Sequence, residues 1–370
     1  MKVVYFIGSL NRGGTEMLTL DICRKKDYAP YEMMLVYRNE GELSEDFRET
    51  GVKMVRIKPK GLKVGYFFRL RRLLKYEHVD LVHAQTFVNS RIALIATLFS
   101  KIRVVSSFHG FSFAQASLVA RRYVMRGSDV LVFVSKYVQE YYLQRNRFCD
   151  VAKCHVVYNG VDVDRFEKKY PNPDFMELNK LDALGKIKLA MVGNFVSGRS
   201  QIVICRSIKL LKEQGESNLD FYFVGKRVEK EANRYDECVR YCEENDLMDI
   251  VHFVGSRGDI PAILQHVDGF VYSTEHDTFG IAVIEALLSG LPVIANDWDV
   301  MKEISQDGKL FTLFETESEE DCCEKMRSLM ENIDVNNRDV KNHIDSVKNM
   351  FSIEKHIEGI TAVYEKCLMN

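Results

Sequence analysis

Residues 273–290 read STEHDTFGIAVIEALLSG and run on into Leu291-Pro292-Val293-Ile294. Upstream, Phe270, Val271 and Tyr272 form the apolar exit of a strand. Residues 275–280 are polar and end on glycine. Ile281, Ile284, Leu287 and Leu288 then recur at helical spacing, with Glu285 in the same rhythm. The order is strand, loop, helix. Asp277 on the loop and Glu285 in the helix stand eight positions apart and bracket a helix start beside Gly280. Unpaired backbone N–H groups and the helix dipole favour an anion at such a point. Amides for a diphosphate, with a carboxylate on each side to accept from sugar or ribose hydroxyls, suit a sugar nucleotide. The same residues equally suit an ordinary strand-to-helix turn whose acids are merely solvated.

Length and composition widen the frame. A chain of 370 residues, 46% hydrophobic, has room for about two to three domains, each with its own core. No apolar run approaches the roughly 18 residues of a membrane span, and the most suspicious stretch, residues 92–99, is too short. The opening MKVVYFIGSL passes straight into a strand and a glycine turn without a secretory cleavage region, so a cytoplasmic location is expected. Nine cysteines include no Cys-x-x-Cys pair. Such an odd, unpatterned set fits reduced packing residues, and no zinc site is expected. Net charge is −2, yet residues 51–150 hold 18 Lys+Arg against 5 Asp+Glu. A basic first half and an acidic second half fit an anionic partner on the N-terminal side, or simple solvation of helix faces.

Strand and helix signals alternate throughout. Residues 3–8, 33–37, 52–57, 81–83, 103–108, 130–134 and 154–158 read as strands with helical stretches between. The pattern restarts at Lys186, with strands at 187–192, 221–224, 250–254, 269–272 and 292–295. Alternation of this kind predicts parallel sheets covered on both faces. The reading is α/β, two doubly wound Rossmann-like domains with a cleft between, joined near residues 164–184, where Pro171 and Pro173 fall. Ligands of such sheets bind beyond the carboxyl ends of the strands.

Further motifs sit at those ends. Gly13 and Gly14, followed by Glu16, lie after the first strand and allow close backbone approach to a ligand. The spacing is not the dinucleotide fingerprint. His109 closes Ser106-Ser107-Phe108-His109-Gly110, and His83 closes another strand ahead of Gln85. A histidine so placed can donate to a hydroxyl or phosphate, or be structural. Asn194 and Arg199 follow the first strand of the second half. Arg199 can grip phosphate bidentately, whereas Asn194 can only hydrogen-bond. Residues 158–162, YNGVD, carry an Asn-Gly turn, and Arg257 ends a later strand. Residues 58–75, KPKGLKVGYFFRLRRLLK, combine a basic face with an aromatic-aliphatic one, which suits an anionic membrane surface or a packed domain helix. No nucleic-acid module is visible.

These motifs together resemble the GT-B retaining glycosyltransferases of GT4 type. The family's pattern of Glu, seven residues, Glu, with Phe-Gly-Ile inside and Gly-x-Pro-Val-Ile after, matches at Phe279, Gly280, Ile281, Glu285, Gly290, Pro292, Val293 and Ile294, with Asp277 in place of the first Glu. The Gly-Gly-x-Glu loop, the strand-end His109, and the Asn-Gly-Val-Asp element with Phe166 match as well. Two positions depart from the pattern. Gln85 replaces the second histidine of a His-x-His strand end, and Asn194 replaces the arginine that, with a lysine matched here by Arg199, clamps the donor diphosphate.

The resemblance implies a GT-B fold. Residues 1–168 would form the acceptor-side domain, 169–350 the nucleotide-sugar domain, and 351–370 a final helix returning to the first. It further implies a hexosyltransferase that uses a nucleotide diphosphate sugar, UDP- before GDP-linked. The acceptor would be a saccharide or lipid-linked saccharide in cell-envelope or capsular polysaccharide synthesis. His109, Asp277 and Arg199 would be catalytic. Gly13, Gly14, Asn194, Arg199, Arg257, Phe279, Gly280, Ile281 and Glu285 would hold the donor, with Glu16 and His83 on the acceptor side. Lys226, Arg227 or Arg257 would make up the charge lost at Asn194. No metal and no cofactor are expected, and peripheral contact with an anionic membrane stays open beside the packed-helix reading of residues 58–75. A GT-B epimerase, or a catalytically weakened GT-B subunit, is the alternative.

Overall fold

Runs such as KVVYF and LDFYFV are apolar on both sides, a pattern that holds a strand only in the middle of a covered parallel sheet. The computed structural model describes residues 1–58, 63–174, 185–216 and 218–369. It divides into two units, Met1–Asp162 with Phe351–Asn370, and Val163–Met350.

The first unit holds β1 (Lys2–Phe6), β2 (Glu32–Tyr37), β3 (Lys53–Arg56), β4 (Leu81–Ala84), β5 (Arg103–Phe108), β6 (Val130–Phe133) and β7 (Cys154–Val156). They pair in parallel in the order β3-β2-β1-β4-β5-β6-β7. The second unit holds β8 (Ile187–Val192), β9 (Leu219–Val224), β10 (Val251–Gly255), β11 (Gly269–Tyr272), β12 (Val293–Asn296) and β13 (Thr312–Phe314). Their order is β10-β9-β8-β11-β12-β13, again parallel. Both are doubly wound sheets. Strand order reverses between β1 and β4 and between β8 and β11, and such switch points open a crevice at the carboxyl ends of the strands. The sequence reading missed β13, a three-residue edge strand whose first residue is exposed. Of the junction at 164–184, residues 175–184 lie outside the described residues, as do 59–62 of the basic stretch.

The last helix, Ile353–Met369, belongs to the first unit. Ile353, Ile357, Ile360, Val363 and Tyr364 enter the core formed by Val3, Tyr5, Leu35 and Val105. The Asn-Gly segment anchors it, not as the turn its sequence suggests but as a strand-like approach, since Val161 exchanges backbone hydrogen bonds with Phe351 and Ile353. Gly160 is required there. A Cβ at that position would stand 2.6 Å from the Ile353 Cα and 2.7 Å from the Ser352 carbonyl oxygen.

Candidate functional site

In the second unit the loops after β8 and β11, neighbours at the switch point, are knitted together. Ser200 N–H donates to the Ser273 carbonyl, and Glu275 N–H to that of Gly198. The Thr274 hydroxyl reaches the same Gly198 oxygen at 2.6 Å, and the Ser200 hydroxyl meets Glu275 at 2.6 Å. Asn296 at the end of β12 accepts from Thr274 N–H and donates back to its carbonyl. This lattice fixes where Arg199 and Asp277 point.

They point at each other. Arg199 Nη1 lies 3.0 Å from Asp277 Oδ2, with its guanidinium 5.1 Å from the Tyr272 ring centre. Asp277 is 8% exposed and also accepts from the Tyr272 hydroxyl at 2.5 Å and the Thr278 N–H at 2.7 Å. Burial alone pushes this carboxyl up, but the Arg199 charge, the Tyr272 hydroxyl and the Thr278 and Phe279 amides outweigh it and hold it below the usual range. Asp277 is therefore an ionised, positioned carboxylate that neutralises Arg199, which sequence spacing did not reveal.

Gly280 follows with φ +82°, a left-handed conformation suited to glycine. A Cβ there would come within 2.6 Å of the Met301 methyl. It caps the helix Ile281–Leu288 with no side-chain hydrogen bond, so the first helical amides have no side-chain acceptor at the cap. Glu285, on the second turn, is mostly buried and lies 4.0 Å from Arg165. Phe279 requires a correction. Its ring is in the core and its amide serves Asp277, which leaves it a structural rather than a ligand-facing part.

Asn194 is exposed, and its side-chain oxygen accepts from the Lys226 N–H at 2.9 Å. Of the three compensating cations named from sequence, Arg227 is held bidentately by Asp236 and Arg257 by Asp259. Lys226 is exposed at the corner it shares with Asn194 and makes no ion pair among the described residues.

The first unit presents its own switch-point loops. The helix Gly14–Arg24 starts at the glycine pair, and the Glu16 carboxylate folds over Gly13, where a Cβ would lie 2.7 Å from its oxygen. Burial pushes Glu16 above the ordinary carboxylate range. His109 is half-buried, and its Nε2 donates to the Gln85 side-chain oxygen at 2.8 Å. Burial lowers its imidazole to about 3, so it is neutral. Gln85 Nε2 is buried with no partner among the described residues, a donor whose role the sequence left open.

His83 is the second correction. Expected on the acceptor side, it is 1% exposed, with Nδ1 against the Tyr364 hydroxyl at 2.5 Å and Nε2 against the Ser107 hydroxyl at 2.6 Å. Both nitrogens are spent inside the core, and the residue locks the last helix to the sheet.

Residues 12–165 match the model for "Glycosyltransferase Family 4", and residues 186–332 that for "Glycosyl transferases group 1". The chain is 24% identical to an Escherichia coli UDP-Gal:alpha-D-GlcNAc-diphosphoundecaprenol alpha-1,3-galactosyltransferase, over 81% of this chain and 79% of that one. It is 20% identical to the capsular polysaccharide biosynthesis glycosyltransferase CapH of Staphylococcus aureus, over 83% and 84%. Among solved structures, Anabaena HepE in complex with UDP and glucose superposes with a TM-score of 0.85 at 17% identity, covering 99% of this chain and all of that one.

Proposed function

The chain belongs to the glycosyltransferases of GT4 type, with a family 4 first domain and a group 1 second domain, and on that premise we propose that it moves a hexose, with retention, from a UDP-sugar to a saccharide or lipid-linked saccharide acceptor in cell-envelope or capsular polysaccharide synthesis. The observation that carries this reading is the glycine-capped helix start at Gly280, faced by Arg199 and followed by Glu285. The diphosphate sits on the first amides of Ile281–Leu288 with Lys226 as its uncompensated cation. Arg199, its charge met by Asp277, adds hydrogen bonds, and Glu285 accepts from the ribose. Asp277 holds Arg199 in place and meets the sugar from the same side. At the first sheet Gly13 and Gly14 serve as donor contacts, His109 as a catalytic residue and Glu16 as an acceptor contact. UDP is favoured because HepE was solved with it, and the acceptor class follows the E. coli and S. aureus relatives.

In the reaction the acceptor oxygen bonds to the anomeric carbon as the bond to the diphosphate oxygen breaks. The departing diphosphate takes the acceptor proton on the same face. Electrostatic stabilisation of that leaving charge is the main catalytic contribution asked of the protein. No metal or cofactor is assigned to this chemistry, and activity surviving a chelator would support that. No described helix is long and apolar enough to cross a membrane.

The test is thermal unfolding against UDP, GDP, ADP and their sugars, followed by product analysis. A ligand at about 100 times its Kd stabilises by about 2.7 kcal/mol. A shift with UDP and a product of unchanged anomeric configuration are expected. Because Asp277 neutralises Arg199 and Asn194 is uncharged, a second reading is a weakened subunit that serves a partner. Silence across the whole panel would favour it.

A further inference from the structure

Seven of the nine cysteines are buried, as reduced packing residues should be, and two are not. Cys149 and Cys154 are both partly exposed, and their sulfurs face each other at 3.6 Å. Cys149 follows the helix Lys136–Arg145, and its N–H donates to the Asn146 carbonyl at 2.8 Å. Cys154 is the first residue of β7, an edge strand of its sheet. Between them residues 151–153 make one tight helical turn, capped by the Asp150 carboxylate, which accepts from the Ala152 N–H at 3.0 Å. That turn folds the segment back on itself. Both sulfurs therefore lie against the Asp150 carbonyl, Cys149 at 3.8 Å and Cys154 at 3.4 Å.

A disulfide needs sulfurs about 2.05 Å apart, so the pair stands roughly 1.5 Å from bonding distance. The segment has room for that shift, because Arg147, Asp150, Val151 and Ala152 are exposed. The two thiols are not equivalent. The hydrogen bond from Cys154 holds Cys149 below the usual thiol range, with Lys153 acting in the same sense and burial and Asp150 opposing. The same hydrogen bond, with burial, pushes Cys154 up. A low, accessible thiol beside a second one is the arrangement of an attacking and a resolving cysteine. Among the described residues no group of three His, Cys, Asp or Glu could hold a metal ion, so the chemistry open to the pair is that of a dithiol.

We propose that Cys149 and Cys154 form a peroxide-responsive modification site that closes to a disulfide and reopens with a thiol reductant. The Cys149 thiolate attacks one oxygen of hydrogen peroxide, the O–O bond breaks and hydroxide leaves, which makes Cys149 a sulfenic acid. The Cys154 sulfur then attacks Cys149 Sγ. The S–S bond forms, the S–O bond breaks, and the hydroxyl departs with the Cys154 proton as water. Two electrons pass from the sulfurs to the peroxide, which ends as two waters once the hydroxide is protonated. Thiol–disulfide exchange with dithiothreitol reverses the change. The inference stands apart from the donor and acceptor assigned above, because its readout is the state of two sulfurs and not transfer.

The experiment treats the reduced full chain with hydrogen peroxide, then alkylates it under denaturing conditions and maps the peptides by mass. Free thiols should fall from nine to seven, with Cys149 and Cys154 in one peptide lighter by two hydrogens, and dithiothreitol should restore them. Cys154→Ser should stop at the sulfenic acid, trapped on Cys149 by dimedone. Cys149→Ser should keep its Cys154 thiol at the same dose. Both variants should keep the wild-type unfolding midpoint and transfer, since neither residue belongs to the site described above. A chain that keeps all nine thiols would overturn the proposal, as would buried cysteines oxidised together with these two. So would a disulfide that joins two chains, or a Cys149→Ser variant that loses Cys154 as fast as the wild type does.

Discussion

Replacing Asp277 by asparagine tests the site at its tightest point. The exchange keeps the shape of the side chain and an oxygen for the Tyr272 hydroxyl, but it removes the charge that Arg199 meets at 3.0 Å. At an effective dielectric of about 20, two unit charges at that distance attract by roughly 5 to 6 kcal/mol. Solvent at the partly exposed Arg199 edge returns some of this, while breaking a buried pair typically costs about 3 to 5 kcal/mol because one charge is stranded. A loss of about 3 kcal/mol is expected, or roughly 6–12 °C in the midpoint of a unit this size. The double variant Arg199→Gln/Asp277→Asn should recover part of it, with a coupling above about 1 kcal/mol. Binding should move the other way. Freed of its partner, Arg199 presents an uncompensated cation, so UDP without sugar should bind Asp277→Asn about tenfold more tightly, a change of about 1.4 kcal/mol, while transfer falls. Denaturant unfolding and calorimetry with UDP read both effects. Additive stabilities in the cycle, or weaker UDP binding by the single variant, would refute the account of Asp277 as the partner that neutralises Arg199.

Three other outcomes follow from the geometry. Burial depresses His356 to about 4 and puts His83 well below its usual range; the unfolded chain protonates both first, so stability is full above about pH 6.5 and should fall by up to about 1.4 kcal/mol per pH unit per histidine as pH drops toward 4, read as the denaturant midpoint at pH 7 and 5. Gly160→Ala drives a methyl into the backbone of Ser352 and Ile353, which should cost about 1–3 kcal/mol and expose the last helix to protease; an unchanged digestion pattern would contradict the anchoring role. Lys226→Ala should weaken UDP binding about 10- to 100-fold, the loss of a charge-assisted contact of roughly 1.5–3 kcal/mol, whereas Asn194→Arg should strengthen it.

Most of the fold was legible because a parallel strand buried on both faces leaves an uninterrupted apolar run, as in KVVYF and LDFYFV. Thr312–Phe314 escaped because three residues at a sheet edge leave no such run. The site was legible in part. Gly280 announced a left-handed helix cap, and Asp277 and Glu285 announced themselves by spacing. That Asp277 pairs with Arg199 was not readable, because the partners reside on loops 78 positions apart, brought together only by the β8–β11 pairing. His83 was misread for a similar reason. A histidine at a strand end carries no local sign of which layer it faces, and the Tyr364 hydroxyl that claims its Nδ1 comes from the last helix.

The departure at Asn194 therefore weighs less than it did as a bare substitution. Its side chain has a defined task, to accept from the Lys226 amide, and that bond keeps the lysine at the corner where the missing cation would stand. With Arg199 matched by Asp277, the charge available to a diphosphate is Lys226 plus the roughly half charge of the helix start at Gly280. A site charged in this way binds through a flexible ammonium and fixed amides rather than through two guanidinium forks. Its affinity should accordingly be more sensitive to salt, and its geometry more dependent on the Gly280 amides. Losing Lys226 or distorting Gly280 should then each weaken donor binding by about tenfold or more, whereas in a site clamped by two arginines either change should cost less.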